Sequence, residues 1–333
     1  MPFAPDFRPL LGLAPGVVWG FDFAPDGTRT PVGCDDPPAG QLRWLHLNLA
    51  DHGSGLWIES SPLLPAAARE LLLSADSHQR TLVDTDGDLA VVCCVLHDFE
   101  RDFDTRDTAR VGALRVVLRE GLVITARRHP LGSADIILRR INAGARIVDA
   151  AAALDLIVGA LTGNIDMVIR NLAVEMQAVE DAFLEGRDPP TSRQLLAIRR
   201  RLAQIHRMLD GAGRVFRRLE HDDDLPETLL PMVERLSQRL QGLDADTVAV
   251  QGQLRLLRDE LDLQSDQRTN QNLYLLSVMT ALMLPATLVT GLFGMNTGEL
   301  PFTGGHGTLW ATFLAAAAAA ATYFFLRSRG FFR

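Results

Sequence analysis

An α/β domain in the cytosol, then long helices, then a C-terminal two-helix transmembrane hairpin is the fold class this sequence predicts. Three observations predict it. The first 130 or so residues alternate short apolar runs with Gly, Pro and Asp turns, whereas from about residue 131 the pattern is helical without strand signals. Finally, no Asp, Glu, Lys or Arg occurs between Arg268 and Glu299, or between Glu299 and Arg327. Each interval can cross a bilayer as a helix, which takes roughly 20 mostly apolar residues.

Strands are expected over 17–23, 42–49, 89–96, 114–118 and 122–126, each an apolar run bounded by turn residues. Pro62-Leu63-Leu64-Pro65 leads into a helical stretch at 66–73. A long helix over 149–185 is stopped by Gly186-Arg187-Asp188-Pro189-Pro190, and a second restarts at Thr191 or Ser192, both good N-caps. It ends near Glu220, where His221-Asp222-Asp223-Asp224-Leu225-Pro226 makes a polar turn. From about Glu227 nothing breaks the helical pattern until Pro285, inside the first apolar interval, and the helix continues to Phe293. The resulting division is a cytosolic α/β domain at 1–145, a helical stalk region at 146–268 and a hairpin at 269–333, with spans at about 273–294 and 309–326.

Composition bounds the function. The chain opens MPFAPDFRPL, without a basic n-region and apolar core, so the large N-terminal part is expected to stay in the cytoplasm. Arg268 precedes the first span and Arg327, Arg329 and Arg333 follow the second, which puts both termini inside and the connecting loop outside. Cys34, Cys93 and Cys94 fit a reducing compartment. Cys93 and Cys94 are adjacent in a strand, so they point to opposite faces and read as core. A net charge of -8 argues against nucleic acid as a partner. With no lysine there is no P-loop lysine, and no CxxC, HExxH, GxSxG or GxGxxG pattern occurs, so the chain does not read as an enzyme.

The first span carries a stripe at 4-3 spacing: Asp266, Asn270, Leu273, Ser277, Thr280, Leu284, Thr287 and Gly291. A 3.5-residue period keeps one helix face toward its symmetry mates. Two readings stand side by side. In an oligomer each hydroxyl or amide becomes a ring of oxygens that can receive a cation still carrying its water. On a single helix, Ser277, Thr280 and Thr287 bond only to their own backbone or a neighbour. Asp259 and Asp266, with Leu256 and Leu263, continue the stripe below the membrane and would form acidic rings in a cytosolic funnel. The second span holds seven consecutive alanines, Ala315 to Ala321, and suits packing around a central helix.

Between the spans, Glu299 would concentrate cations at the outer mouth, with His306 as a softer ligand; both also read as solvated loop residues. Asp98, Glu100, Asp102, Asp104 and Asp107 crowd one loop and, with His97, could hold Mg2+ or Zn2+. The interleaved Arg101 and Arg106 favour a solvated turn instead, and the same holds for Asp222 to Asp224 with His221.

Gly294-Met295-Asn296, at the outer end of the first of two C-terminal spans and after an α/β domain and a long helix, resembles the CorA superfamily of divalent-cation transporters. Trp44-Leu45-His46-Leu47-Asn48, Ser61-Pro62-Leu63-Leu64-Pro65 and Leu288-Val289-Thr290-Gly291-Leu292-Phe293-Gly294 are similar to segments of the ZntB zinc-transporter branch. Phe293 stands where the magnesium branch more typically has Tyr. The resemblance implies a homopentameric funnel in the bacterial inner membrane, five first spans lining a pore and five second spans around them. It implies Asn296, with the backbone of Gly294 and Met295, as the entrance for a hydrated cation: Zn2+ first, with Mg2+, Co2+, Ni2+ and Cd2+ as further cargo. Uptake coupled to protons is the transport mode the branch implies, although no intramembrane carboxylate or histidine offers a relay. The rivals are a CorA-type Mg2+ or Co2+ channel and a membrane-anchored sensor or scaffold that conducts nothing.

Overall fold

The computed structural model describes residues 16–37, 39–86, 89–101, 110–185, 191–295 and 307–330. Asp102, Asp104, Asp107, Asn296, Glu299 and His306 lie outside the described residues. The chain divides into two compact units, residues 1–255 and 256–333, with one helix contributing to both.

The first unit is built on a seven-stranded mixed sheet. Its strands are β1 (Val17–Phe23), β2 (Arg29–Pro31), β3 (Leu42–Asn48), β4 (Arg80–Asp86), β5 (Leu89–Phe99), β6 (Val111–Arg119) and β7 (Leu122–Arg127), in the order β2-β1-β3-β7-β6-β5-β4. Only β3 and β7 pair in parallel, with Leu45 opposite Ile124; every other pair is antiparallel. Glu120 and Gly121 alone connect β6 to β7, and Gly121 takes φ +73°, the left-handed conformation such a tight hairpin needs.

Helices cover both faces of the sheet, which is why the central strands read as continuous apolar runs. On one face Leu45, Leu47, Val91, Cys93, Val95, Val117, Ile124 and Ala126 pack with Ile58 of α1 (His52–Ser60) and with Ala68, Leu71 and Leu72 of α2 (Ala66–Leu73). On the other, Trp44, Val92, Cys94, Leu96, Val116 and Val123 are buried. There the sheet meets α3 (Gly132–Asn142), α4 (Ala150–Leu184) and α5 (Ser192–Glu220). Cys93 and Cys94 therefore sit in two different layers, and burial pushes each thiol up to about 12. Neither is available as a thiolate ligand at neutral pH.

The expected strands at 17–23, 42–49, 89–96, 114–118 and 122–126 and the helix at 66–73 all form. Three further elements form where no signal was read: β2, β4 and α1. Asp51 caps α1 through Gly53 N, Asp149 caps α4 through Ala152 N and Thr191 caps α5 through Gln194 N. α6 (Leu230–Gly294) and α7 (Gly307–Ser328) complete the chain, α6 running through Pro285 without a break.

The acidic loop after β5 does not begin where the sequence placed it. Asp98 is fully buried and lies within β5, one residue before its end at Phe99. Its Oδ2 accepts from Ser133 N (2.7 Å) at the start of α3, and its Oδ1 from Phe99 N (2.8 Å) and Asn164 Nδ2 (3.2 Å) of α4. Both earlier readings, metal ligand and solvated turn, fail for Asp98, because three donors converge on it away from water. His97 Nε2 lies 2.8 Å from Ser77 O. At the α5–α6 turn, Asp222 Oδ1 accepts from Asp224 N (3.2 Å) and His221 Nδ1 lies 2.8 Å from Arg217 O. Among the described residues no three His, Cys, Asp or Glu side chains cluster as a metal site.

Candidate ion pathway on helix α6

Among the described residues, three helices are long and apolar enough to span a membrane: 150–183, 230–294 and 308–328. Burial separates them. Of the most apolar stretch of α4, 61% is buried inside the protein, so its apolar residues serve the core; the corresponding stretches of α6 and α7 are 0% buried. Leu276, Met279, Leu284 and Leu288 of α6 are each more than half exposed, as are Leu309, Phe313 and Phe324 of α7. Apolar surface on that scale needs an apolar solvent, and both helices satisfy their backbone internally, as a bilayer demands.

The second unit holds the C-terminal part of α6, from Leu256, together with α7. On α6, the stripe residues Asn270, Leu273, Ser277, Thr280, Leu284, Thr287 and Gly291 are all exposed. The half-buried positions of the same segment, Val278, Ala281, Leu282, Pro285, Ala286, Val289 and Phe293, follow a different line along the helix. On α7 the half-buried positions are Ala311, Ala315, Ala318, Ala319, Thr322 and Leu326.

Each stripe hydroxyl donates its proton back into the helix. Ser277 Oγ bonds Leu273 O and Thr280 Oγ1 bonds Leu276 O (both 2.8 Å), and Thr287 Oγ1 bonds Leu284 O (2.9 Å). Such a bond uses the hydroxyl's one donor and leaves its oxygen able to accept. The two readings of the stripe are therefore compatible: a hydroxyl satisfied by its own backbone presents only lone pairs outward, the polarity that receives the hydrogens of a cation's hydration water. Thr290, off the stripe, makes the same kind of bond to Ala286 O and Thr287 O (3.1 Å each).

Gly294 ends α6, and Met295 follows, 62% exposed, with its N–H on Leu292 O at 3.4 Å. Open space surrounds the Cα hydrogens of Gly291 and Gly294, so neither glycine is required by packing inside this chain. Asp259 and Asp266 are exposed and, among the described residues, unpaired, whereas Arg258 and Asp262 approach within 3.8 Å.

The segments that carry the sequence resemblance fall in different places. Trp44 to Asn48 is buried strand β3, not a site: Trp44 Nε1 donates to Thr125 Oγ1 (3.0 Å), and His46 stacks on Trp19 at 4.9 Å between ring centroids. The 288–294 segment ends α6.

The sequence profile of the family described as CorA-like Mg2+ transporter protein matches residues 39–327. A protein named zinc transport protein ZntB from Cronobacter sakazakii is 29% identical over 270 residues, 79% of each chain. The full-length structure of a protein named CmaX superposes with a TM-score of 0.77 at 24% identity, covering 96% of this chain and 99% of the other. The complete CorA magnesium transporter of Methanocaldococcus jannaschii superposes with a TM-score of 0.76 at 17% identity, covering 94% and 98%.

Proposed function

From the fact that the chain belongs to the CorA-like Mg2+ transporter family, divalent-cation transporters of the membrane rather than enzymes, we propose that it carries Zn2+ across the bacterial inner membrane. The observation that carries the choice of zinc is the likeness to ZntB along most of the chain, 29% identity over 79% of both sequences. The likenesses to CmaX and to the archaeal magnesium transporter, both below 25% identity, speak for the fold alone.

In this reading five copies assemble around the stripe of α6. Residues 1–145 and 146–268 form the cytosolic funnel and 269–333 the hairpin, with both termini inside. The cation enters at Asn296, with Gly294, Met295 and Glu299 around it. It then passes Gly291, Thr287, Leu284, Thr280, Ser277, Leu273 and Asn270 toward Asp266 and Asp259. Neutral hydroxyl and amide oxygens do not strip or grip zinc as thiolate and imidazole do, so the ion moves at least partly hydrated and selectivity among Zn2+, Co2+, Ni2+, Cd2+ and Mg2+ is modest. Uptake driven by an inward proton gradient completes the proposal.

The test is flux in proteoliposomes, with Zn2+ and Mg2+ compared with and without a pH gradient. Zinc entry that rises with the gradient and is lost in Asn296→Ala, while the assembly persists, is the expected result. Magnesium flux indifferent to pH would place the chain among Mg2+ or Co2+ channels, and no flux of either ion would leave a membrane-anchored scaffold.

A further inference from the structure

The densest positive charge on the first unit lies on α5. α5 holds eight arginines against Asp210 and Glu220, a net +6 in a chain of net -8, so the rest of the chain carries -14. Because the protein has no lysine, the choice of arginine says nothing; placement does.

Arg193, Arg200, Arg207 and Arg214 recur every seven residues, and all four are exposed. Seven helical residues rise about 10.5 Å, so the row is about 32 Å long. Leu196 and Ala203 fall between the arginines at 3-4 spacing, and Leu196 is 46% exposed. Ile198, Leu202, Ile205 and Leu209 point the other way and are buried. From Arg193 to Arg207 the outward face is thus a heptad seam of alternating cationic and small or apolar positions, the pattern that follows a partner surface along its length; at the next such position Asp210 stands instead. Arg214 is held by Asp210 of the preceding turn. Among the described residues Arg193, Arg200 and Arg207 have no hydrogen-bonding or ion-pair partner.

We propose that this face of α5 docks on the acidic surface of a second copy of this chain, with Arg193, Arg200 and Arg207 as its ionic contacts and Leu196 as its apolar anchor. The inference rests on the oligomer of the proposed function and names a surface that builds it. Charge selects the partner: outside α5 each copy is strongly acidic, while α5 against α5 would set arginine against arginine. The contact therefore pairs α5 of one copy with a different face of the next, an arrangement compatible with the heterologous geometry that closes into a ring. An anionic bilayer also attracts arginines, but Leu196 and the half-buried Ala203 offer it too little apolar surface to insert.

The experiment uses the full chain in detergent, with assembly read by native mass spectrometry at about 0.1 M and about 0.5 M salt, where exposed ion pairs are screened to different extents. Wild type is expected to assemble, more completely at low salt. The triple variant Arg193→Glu, Arg200→Glu, Arg207→Glu should lose about tenfold of its assembled fraction, through like-charge contact, with helical circular dichroism unchanged. Leu196→Cys labelled with a benzophenone maleimide should photocross-link to a species of twice the chain mass, the native thiols being buried. A triple variant that assembles as wild type, or cross-links that reach only lipid or the same chain, overturns the inference and leaves the transporter reading intact. A wild-type chain that is monomeric overturns both.

Discussion

Asp22 and Arg43 face each other across β1 and β3 and exchange two parallel hydrogen bonds, Arg43 Nε to Oδ1 at 2.7 Å and Nη2 to Oδ2 at 2.8 Å. Both side chains are almost fully buried, at 3% and 5% exposure. Arg43 also donates to the carbonyls of Asp36 and Pro37, fastening the loop after β2 to the sheet. Burial alone would raise Asp22, but the Arg43 bonds and the Ala39 N–H hold its carboxyl below the usual range.

Removing one partner strands the other charge. Asp22→Ala is expected to cost about 3–5 kcal/mol, read as a lower thermal midpoint of the detergent-solubilised protein. Because the carboxyl is held low in the folded state, its contribution is present above the unfolded value of 3.8 and fades as pH falls below it. The variant and wild type should converge in stability as pH falls below 3.8.

His46 supplies the opposite pH signature. Arg127 Nε donates to its Nε2 at 3.2 Å, so Nδ1 carries the proton and donates to Thr125 Oγ1 at 2.8 Å. Burial first, then the charge of Arg127, push His46 down to about 3 from 6.5. The unfolded chain thus binds a proton that the folded chain refuses. Stability is full above pH 6.5, falls by up to about 1.4 kcal/mol per pH unit between 6.5 and 3, and levels off below. In His46→Gln the slope of thermal midpoint against pH should flatten across that window.

Asp98 is the acceptor for three donors at the junction of β5, α3 and α4. Burial raises its carboxyl despite those bonds, yet an acceptor-only group is what the site is shaped for. Asp98→Asn turns an amide donor toward N–H groups, and about 1–3 kcal/mol should be lost. Urea or thermal unfolding monitored in detergent checks it; an unchanged midpoint would remove the junction role.

On α6, Thr280→Val and Thr287→Val keep the side-chain shape and delete the outward oxygen. Their hydroxyls bond only their own helix, so folding should be unaffected. Zinc flux in proteoliposomes should fall several-fold if those oxygens meet the hydrated ion, and flux equal to wild type would take them off the path.

Legibility followed how local each cause was. β4 escaped because Arg80-Thr81-Leu82-Val83-Asp84-Thr85-Asp86 is polar at the sheet edge, where one side of a strand has no neighbour to demand apolar residues. α1 escaped because Gly53 and Gly55 dilute its helical propensity. Its formation depends on Ile58 being buried against the sheet. Asp98 was misplaced because a run of acids looks the same whether its first member points out or in. Along α6 the stripe was legible residue by residue, since a 3.5-residue period is written directly in spacing.

By itself the sequence determined the succession of a sheet domain, capped long helices and two uncharged apolar segments, because periodicity, capping residues and the absence of charge act over a few residues at a time. Tertiary structure alone decided that the apolar helix α4 belongs to the core while α6 and α7 keep their apolar surface outward. It also decided that His46 and Asp98 are enclosed structural groups. Hydropathy measures what a segment would tolerate, and only the packing of distant segments determines which solvent it meets.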